Sequence, residues 1–582
     1  MSKRWRIHPH DAECIAALER WAVVPAVVAQ LLVCRGIRDP DQARRFLDPK
    51  LSALRGPELL PGCSLAAERI HDAIGQGHRI VIYGDYDVDG ITGTALLCQC
   101  LKLLGGNVGY YVPHRIDEGY GLNPEAIRRL AADKARLIIS VDCGIGSLAE
   151  AAVARECGVE LIITDHHAPG SQLPQAAAIV HPNLPGQSYP FAGLSGSGVA
   201  FKLAWAVCQQ ASGAKRVGQA MKDYLVQALG LAALGTVADV VPLVDENRIL
   251  VRHGLATILQ KPSLGLATLL EVAGLAEKRK IEAEDVGFTL GPRLNAAGRL
   301  GQAQLAVELL LTDRPERADE LARYVDGLNA SRQKLENSIY LAANKQAKEQ
   351  FDPENDAAMV LADRGWHAGV IGIVAGRLAE KYHRPVVMIA WDPLGVKPGH
   401  GSARSVPGFN LHAALESCAE HLLTHGGHAA AAGLTIAPEN LEAFRNDFCE
   451  VAAGQIAEDG RVAELFIDAE APLSVFSERI VRQIEQLAPF GQSNHRPLLC
   501  ATGVTLAEPA KLLGSSGRHL AARLKQHAVT MRAVAFGCGE RIAELTPQAG
   551  PLEVAFRPMI NTFKGRSSVE LQLVDWRPCA PS

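Results

Sequence analysis

The segment Gly84-Asp85-Tyr86-Asp87-Val88-Asp89-Gly90 places three carboxylates at alternate positions, directly after the apolar run Arg79-Ile80-Val81-Ile82-Tyr83. Acids so crowded repel one another unless cations neutralise them, and hard divalent metals with oxygen ligands do so. The competing reading is an EF-hand calcium loop. That loop needs a Glu where Leu96 stands, and it joins two helices rather than a strand and a helix. A second apolar run ends in Val141-Asp142-Cys143-Gly144 and a third in Thr164-Asp165-His166-His167. Two adjacent imidazoles among carboxylates suit manganese, iron or zinc better than calcium. Asp239, within Gly235-Thr236-Val237-Ala238-Asp239-Val240-Val241-Pro242, reads either as a helix-end cap or as a further ligand of the same set.

These tips need elements that bring them together. Apolar runs recur at 79–83, 108–112, 137–141, 161–163 and 178–180, with helical stretches such as 92–104 and 147–156 between most of them. Continuous apolar strands spaced by helices predict a parallel sheet covered on both faces, with the polar clusters on one rim. Residues 196–312 read as mainly helical. Residues 316–351 hold no proline and one glycine, and Leu321, Val325, Leu328, Leu335, Ile339 and Ala342 recur at nearly 3.5-residue spacing. That pattern predicts one long helix, either packed on one side or acting as a rigid connector between two lobes.

A second α/β unit follows, with strands expected at 358–361 and 385–391 and helices at 370–382 and 411–423. From about Pro497 the pattern changes to short strands and turns at 529–536, 552–556 and 568–574, which predicts a small β-barrel of the OB kind. Residues 497–582 carry 10 Lys+Arg against 6 Asp+Glu, a balance of +4 in a chain of net charge -4. A basic barrel beside an acidic body is where an anionic polymer would be gripped. The boundaries read as a helical lead-in over 1–75, a metal-binding domain over 76–312, a connector helix over 313–351, a substrate-binding domain over 352–460 and the barrel domain over 461–582.

The 582 residues accommodate about three or four domains. With 48% hydrophobic and 21% charged residues the composition is that of a soluble globular protein. The 13 cysteines are scattered and form no C-x-x-C, which predicts reduced thiols in a cytoplasmic protein rather than a zinc ribbon or disulfide frame. The uncharged run 21–34 is too short to span a bilayer and contains Pro25, so neither export nor membrane anchoring is expected. No G-x-x-x-x-G-K-[ST] occurs, which excludes a P-loop ATPase or helicase.

Taken with Gly291-Pro292-Arg293-Leu294-Asn295-Ala296-Ala297-Gly298-Arg299 and Gly426-Gly427-His428, these motifs resemble the DHH phosphoesterase superfamily. Within it the chain is similar to the RecJ exonuclease family over nearly its whole length. The family's usual small residue between the two later acids of the first motif is Val88 here, and the terminal extension of some relatives is not expected. The resemblance implies a two-lobed DHH/DHHA1 catalytic core with a parallel sheet, a long connecting helix and a C-terminal OB-like barrel. It implies two divalent cations, manganese or magnesium, on Asp87, Asp89, Asp142, His166 and Asp239, with Asp142 as bridge. Asp85 either binds metal or orients a ligand. His167 would face the scissile phosphate, with Asp165 fixing the imidazoles. Substrate phosphates would meet Arg115, Arg293, Asn295, Arg299, His428, and Ser402 and Arg404 in a glycine-rich turn of the second lobe, the arginines because a guanidinium forks onto two oxygens.

The activity so implied is 5′→3′ hydrolysis of single-stranded DNA in repair and recombination. The implied partners are the 5′ end of single-stranded DNA, a single-strand-binding protein and a helicase, with the protein a monomer. An enzyme for short oligonucleotides or cyclic dinucleotides would need the lobes but no barrel. A non-catalytic scaffold on a degenerate DHH core would lack ligands that this chain keeps.

Overall fold

Five apolar runs form one parallel sheet in the order Asn107–Tyr111, Arg79–Gly84, Ala135–Val141, Glu160–Thr164, Ala178–Val180. The computed structural model describes residues 3–114, 118–352, 355–456, 463–514, 517–563 and 565–579. The three central strands are buried along almost their whole length, as expected of a sheet covered on both faces. After Arg79–Gly84 the chain runs outward to Asn107–Tyr111 and then returns to the other side of the first strand. The switch point therefore lies between Arg79–Gly84 and Ala135–Val141, and open α/β sheets bind ligands at the carboxyl ends there. The helix Val88–Leu103 begins four residues earlier than its apolar pattern suggested. The Asp87 carboxylate caps it, accepting from the N–H groups of Asp89 and Gly90 at 2.9 and 3.1 Å, and this cap draws the acidic motif into the first turn.

The helix Pro315–Gln350 packs its first half on Leu264–Val272, Gly291–Arg299 and Ala303–Leu311, and its second half on Met359–Asp363 and Ala368–Tyr382. It is thus a rail shared by two lobes. The second lobe is a mixed sheet in the order Leu422–Gly427, Ala431–Ile436, Gly399–Arg404, Val386–Ala390, Met359–Asp363. Two expectations are corrected here. The helix expected at 411–423 stops at Ser417, and Leu422–Gly427 pairs with Ala431–Ile436 instead, because ladder hydrogen bonds are available to it. Ser402 and Arg404, expected in a glycine-rich turn, lie on the strand Gly399–Arg404. Its glycines answer to packing, since a Cβ on Gly401 would fall 2.5 Å from Leu434.

These lobes, residues 55–241 and 253–463, form one unit, and residues 3–54, 242–252 and 464–582 form a second. The stretch read as a 1–75 lead-in therefore divides: residues 3–54 fold with the second unit, while Cys63–Gly75 packs against Gly196–Ser212 in the first. In the second unit five strands close a barrel in the order Leu499–Leu513, His519–Gln526, Val529–Ala535, Arg566–Pro578, Leu552–Phe563, with the last pairing back onto the first. Val529–Ala535 and Arg566–Pro578 are parallel and the other pairs antiparallel, which is the OB arrangement. Ile15, Leu18, Val28 and Leu31 share a core with Phe476, Leu499, Phe556 and Trp576. Among the described residues no single helix is long and apolar enough to cross a membrane.

Candidate metal centre

The three central strand tips converge because their backbones continue the ladder past the strand ends. Asp85 donates its N–H to Val141, Asp142 to Thr164 and Asp165 to Val180, at 3.1, 2.9 and 3.2 Å. Asp239 arrives from the C-cap of the helix Gln219–Ala238, so its open alternatives were not exclusive: it ends a helix and joins the cluster. His166 Nε2 lies 3.0 Å from Asp142 Oδ1 and 3.5 Å from Asp239 Oδ2. Ligand atoms of Asp85, Asp87 and Asp142 lie within 4.8 Å of one another, as do those of Asp89, His166 and Asp239. Asp142 and His166 also form such a group with His167. The cluster is therefore two three-residue sets, drawn together where Asp142 meets His166.

Asp85, Asp89, Asp142 and Asp165 are at most 3% exposed. Burial, then the charges of Asp89, Asp87, Asp85 and Asp239, push Asp142 well above the usual carboxylate range. Burial and neighbouring acids raise Asp89 and Asp239 as well. Burial and then His167 depress His166 to about 4, leaving a neutral imidazole. Asp142 Oδ1, His166 Nε2 and Asp239 Oδ2 are buried without a hydrogen-bond partner, and among the described residues no Lys or Arg pairs with these three side chains. Buried acceptors left this way are costly. Crowded carboxylates with a neutral imidazole fit divalent cations, and protein groups do not satisfy them. Asp89 is partly held, accepting from the Gly196 and Ser197 N–H groups at 2.6 and 2.9 Å. A Cβ on Gly196 would lie 2.6 Å from Asp142 Oδ1, so glycine is required for that approach. Asp142 itself has φ 64°, a left-handed conformation that costs a non-glycine residue energy and is concentrated at functional sites.

His167 stands beside this set, 36% exposed at its side chain. Its Nδ1 lies 2.7 Å from Asp165 Oδ1, and Asp165 also accepts from the N–H groups of Ile145, His166 and His167. Burial alone would raise Asp165, but these bonds and the imidazole hold it at about 2. Burial alone would lower His167, but the Asp165 hydrogen bond and the carboxylates of Asp165, Asp85 and Asp87 raise it above the usual imidazole value. The fully buried His181 donates from Nε2 to the His167 carbonyl at 2.8 Å while its Nδ1 accepts from Asn183, which clamps the loop from below.

The expected phosphate-binding residues separate. Asn295 Oδ1 accepts from the Val88 N–H at 3.2 Å, supporting the turn that carries the ligands. Arg299 donates to the Gly369 carbonyl at 3.1 Å, at the start of the helix Ala368–Tyr382. A Cβ on Gly372 of that helix would lie 2.7 Å from Ser402 Oγ and 3.1 Å from Arg404 Nη2. Arg299, Ser402 and Arg404 thus gather at the start of this helix, whose Gly369, Val370 and Ile371 N–H groups are themselves taken by His367. Arg293 is elsewhere: it binds Asp326 at 2.9 Å and the Thr289 carbonyl, because the long helix presents a carboxylate to it. His428 is exposed in the hairpin turn after Leu422–Gly427. Arg115 lies outside the described residues.

Residues 79–236 match the DHH family, N-terminal domain, residues 355–454 the DHHA1 domain and residues 467–575 the RecJ OB domain. The single-stranded-DNA-specific exonuclease RecJ of Dickeya dadantii is 36% identical over 94% of this chain and 95% of its own length. The protein of the same description from Bacillus subtilis is 36% identical over 98% of this chain and 70% of its own length. The chain belongs to the RecJ family. The crystal structure of RecJ in complex with Mn2+ from Thermus thermophilus superposes with a TM-score of 0.83 at 34% identity, covering 99% of this chain and 80% of that one.

Relative to this RecJ fold, residue patterns alone did not reveal Gly196, Ser197, His181 or Tyr120, whose hydroxyl donates to the Asp142 carbonyl at 3.1 Å. A signal existed for the first pair in Ser195-Gly196-Ser197-Gly198, a helix start whose free N–H groups bind an anion. His181 gave none, because a lone histidine at a strand end is an ordinary core residue.

Proposed function

We propose that this RecJ-family chain is a single-stranded-DNA-specific exonuclease that hydrolyses phosphodiester bonds from the 5′ end with two divalent cations, manganese or magnesium. The observation that carries this reading is the pair of ligand sets, Asp85, Asp87 and Asp142 and then Asp89, His166 and Asp239, meeting at a buried carboxylate whose Oδ1 accepts no hydrogen bond. When bound, the cations lower the pKa of the attacking water and spread the charge of the phosphate in the transition state. Asp142 would be shared between them.

His167 is assigned to the scissile phosphate. Its Nδ1 is tied to Asp165, so Nε2, 3.4 Å from the Tyr120 hydroxyl, is the nitrogen left to offer a proton or hydrogen bond to a phosphate oxygen, and the raised pKa favours the charged form. Asp165, held ionised, orients that ring. Arg299, Ser402 and Arg404, beside the positive end of the helix Ala368–Tyr382, would take the terminal 5′-phosphate, whose extra charge an internal phosphodiester lacks. The OB barrel supports a grip on the following single strand, which an enzyme for dinucleotides would not need. We assign the protein to the cytoplasm as a monomer in DNA repair and recombination, with a helicase and a single-strand-binding protein as the partners that expose its substrate.

The test is degradation of strands labelled at the 5′ or the 3′ terminus, single and double, with manganese, magnesium or chelator. Mononucleotide release from the 5′ label of single strands alone, dependent on metal, is expected. Release from the 3′ label first, or activity in chelator, contradicts the reading.

A further inference from the structure

We propose that His181 is a positioning residue for the two histidines of the metal centre: its imidazole fixes the backbone from which His166 reaches the cations and His167 the phosphate. The proposal rests on the metal-dependent reading above. The strand Glu160–Thr164 ends just before these histidines, and no helix or strand follows until Ala178–Val180. The sheet therefore holds the segment Asp165-His166-His167 only at its first N–H group, which donates to the Val180 carbonyl at 3.2 Å. Asp165 organises the turn from within, accepting from the N–H groups of His166 and His167. At the far end the His167 carbonyl accepts from His181 Nε2 at 2.8 Å. Residues 180 and 181, at the end of the edge strand, thus grip the chain on either side of His166.

The tautomer of His181 follows from its partners. Its Nδ1 accepts from the Asn183 N–H at 2.9 Å, which neither an imidazolium nor a ring with hydrogen on Nδ1 can do. The hydrogen of the neutral ring is on Nε2 and is given to the His167 carbonyl. The residue is fully buried, so water competes for neither nitrogen. Its strand is seated as firmly. The His181 N–H points to the Pro61 carbonyl at 3.4 Å. A Cβ on Gly62, at φ 73°, would fall 1.9 Å from the Ile179 carbonyl oxygen, so the turn beneath the strand requires glycine.

An imidazole with both nitrogens spent on backbone groups supplies geometry rather than chemistry. The centre is sensitive to geometry: His166 Nε2 stands 3.0 Å from Asp142 Oδ1 and 3.5 Å from Asp239 Oδ2, while distances to a bound metal tolerate only about 0.2 Å. Groups that orient metal ligands without touching the metal are typically worth roughly ten- to a hundredfold in affinity or activity. Releasing the His167 carbonyl would loosen both rings at once, because they sit on adjacent residues.

The test compares His181→Met with His181→Gln in the full-length protein. The two side chains are nearly matched in length and shape, and only the amide can donate to the His167 carbonyl. Calorimetric titration of the metal-free proteins with Mn2+ should show one binding event weakened roughly ten- to a hundredfold in His181→Met, with most of the loss recovered in His181→Gln. Hydrogen exchange of the metal-free proteins should be faster over residues 165–177 in His181→Met and unchanged in the strands Arg79–Gly84 and Ala135–Val141. With manganese bound, kcat on single strands should follow the same order with KM nearly unchanged, because His181 is buried away from substrate. Wild-type Mn2+ affinity in His181→Met overturns the proposal. So does an equal loss in both variants, or exchange raised evenly across the sheet, either of which marks a general packing role. If thermal melting shows His181→Met unfolded, His181→Gln decides. Affinity and exchange near wild type then support the donor, and a loss of about tenfold in a variant that melts like wild type overturns it. Calorimetry and exchange need no substrate, so a protein that passes both yet degrades no single strand rejects the exonuclease reading alone.

Discussion

At the scale of the residue, the site is a set of groups that the folded protein by itself penalises. Asp142→Asn removes the charge of the proposed bridging carboxylate while keeping its shape. Turnover should fall by at least about a thousandfold, ~4 kcal/mol of transition-state stabilisation, and the melting temperature of the chelated protein should rise. An unchanged turnover would exclude Asp142 as a ligand. The pH dependence follows from the directions of the shifts. Asp89, Asp142 and Asp239 have folded pKa values raised above the usual carboxylate value. Below about pH 4 they are protonated in both states. As pH rises, the unfolded chain releases protons that the folded chain retains, so folding is progressively penalised. His167, also raised, loses its stabilising contribution in the same direction. His166, depressed to about 4, acts oppositely, but only below about pH 6.5. Differential scanning calorimetry of the chelated protein should therefore show stability falling between about pH 6.5 and 9. Manganese should restore it, with a larger increment at the higher pH.

At the scale of the element, the helix Ala368–Tyr382 and the strand Gly399–Arg404 must stay close for Arg299, Ser402 and Arg404 to form the proposed phosphate cradle. Arg404 is anchored by its own strand, donating to the Ala403 carbonyl at 2.8 Å. Losing a charge-assisted contact from it should cost about 1.5–3 kcal/mol, roughly ten- to a hundredfold in preference for a 5′-phosphate over a 5′-hydroxyl. Arg404→Lys should recover only part of that preference, because an ammonium cannot fork. Competition between the two oligonucleotides measures the ratio, and an unchanged ratio in Arg404→Ala would limit that arginine to holding the strand. Gly372→Ala should lower the same ratio without removing any phosphate contact, since its methyl would press on Ser402 and Arg404.

At the scale of the whole molecule, the barrel is not a detachable module. Ile15, Leu18, Val28 and Leu31 share its core, so deleting residues 467–582 should leave the N-terminal helices with an uncovered apolar face and an aggregating protein. Charge reversal tests its grip more cleanly. Arg523 and Lys525 are exposed on the strand His519–Gln526. Arg523→Glu with Lys525→Glu should weaken binding of long single strands more than cleavage of trinucleotides. It should also flatten the dependence of log K on log salt by about 0.7 per lost phosphate contact. Fluorescence anisotropy across a salt series reads this, and equal effects on both substrate lengths would place the strand elsewhere.

Much of this protein was legible in its residues. Continuous apolar runs ending in Asp85, Asp142 and Asp165 announced a parallel sheet with an acidic rim, because burial on both faces and exposure at the tip are local properties of a strand. The long helix and the barrel were legible for the same reason, since apolar periodicity states which element a segment becomes. It does not state which partner that element buries against. Hence only the tertiary structure decided that Asp239 both caps its helix and faces His166. Only it decided that Arg293 is spent on Asp326, that the glycines around Ser402 make a close-packed strand, and that residues 3–54 complete the core of the barrel. Each of these depends on a surface contributed from far along the chain, and burial of that surface, rather than local propensity, determines which contacts form.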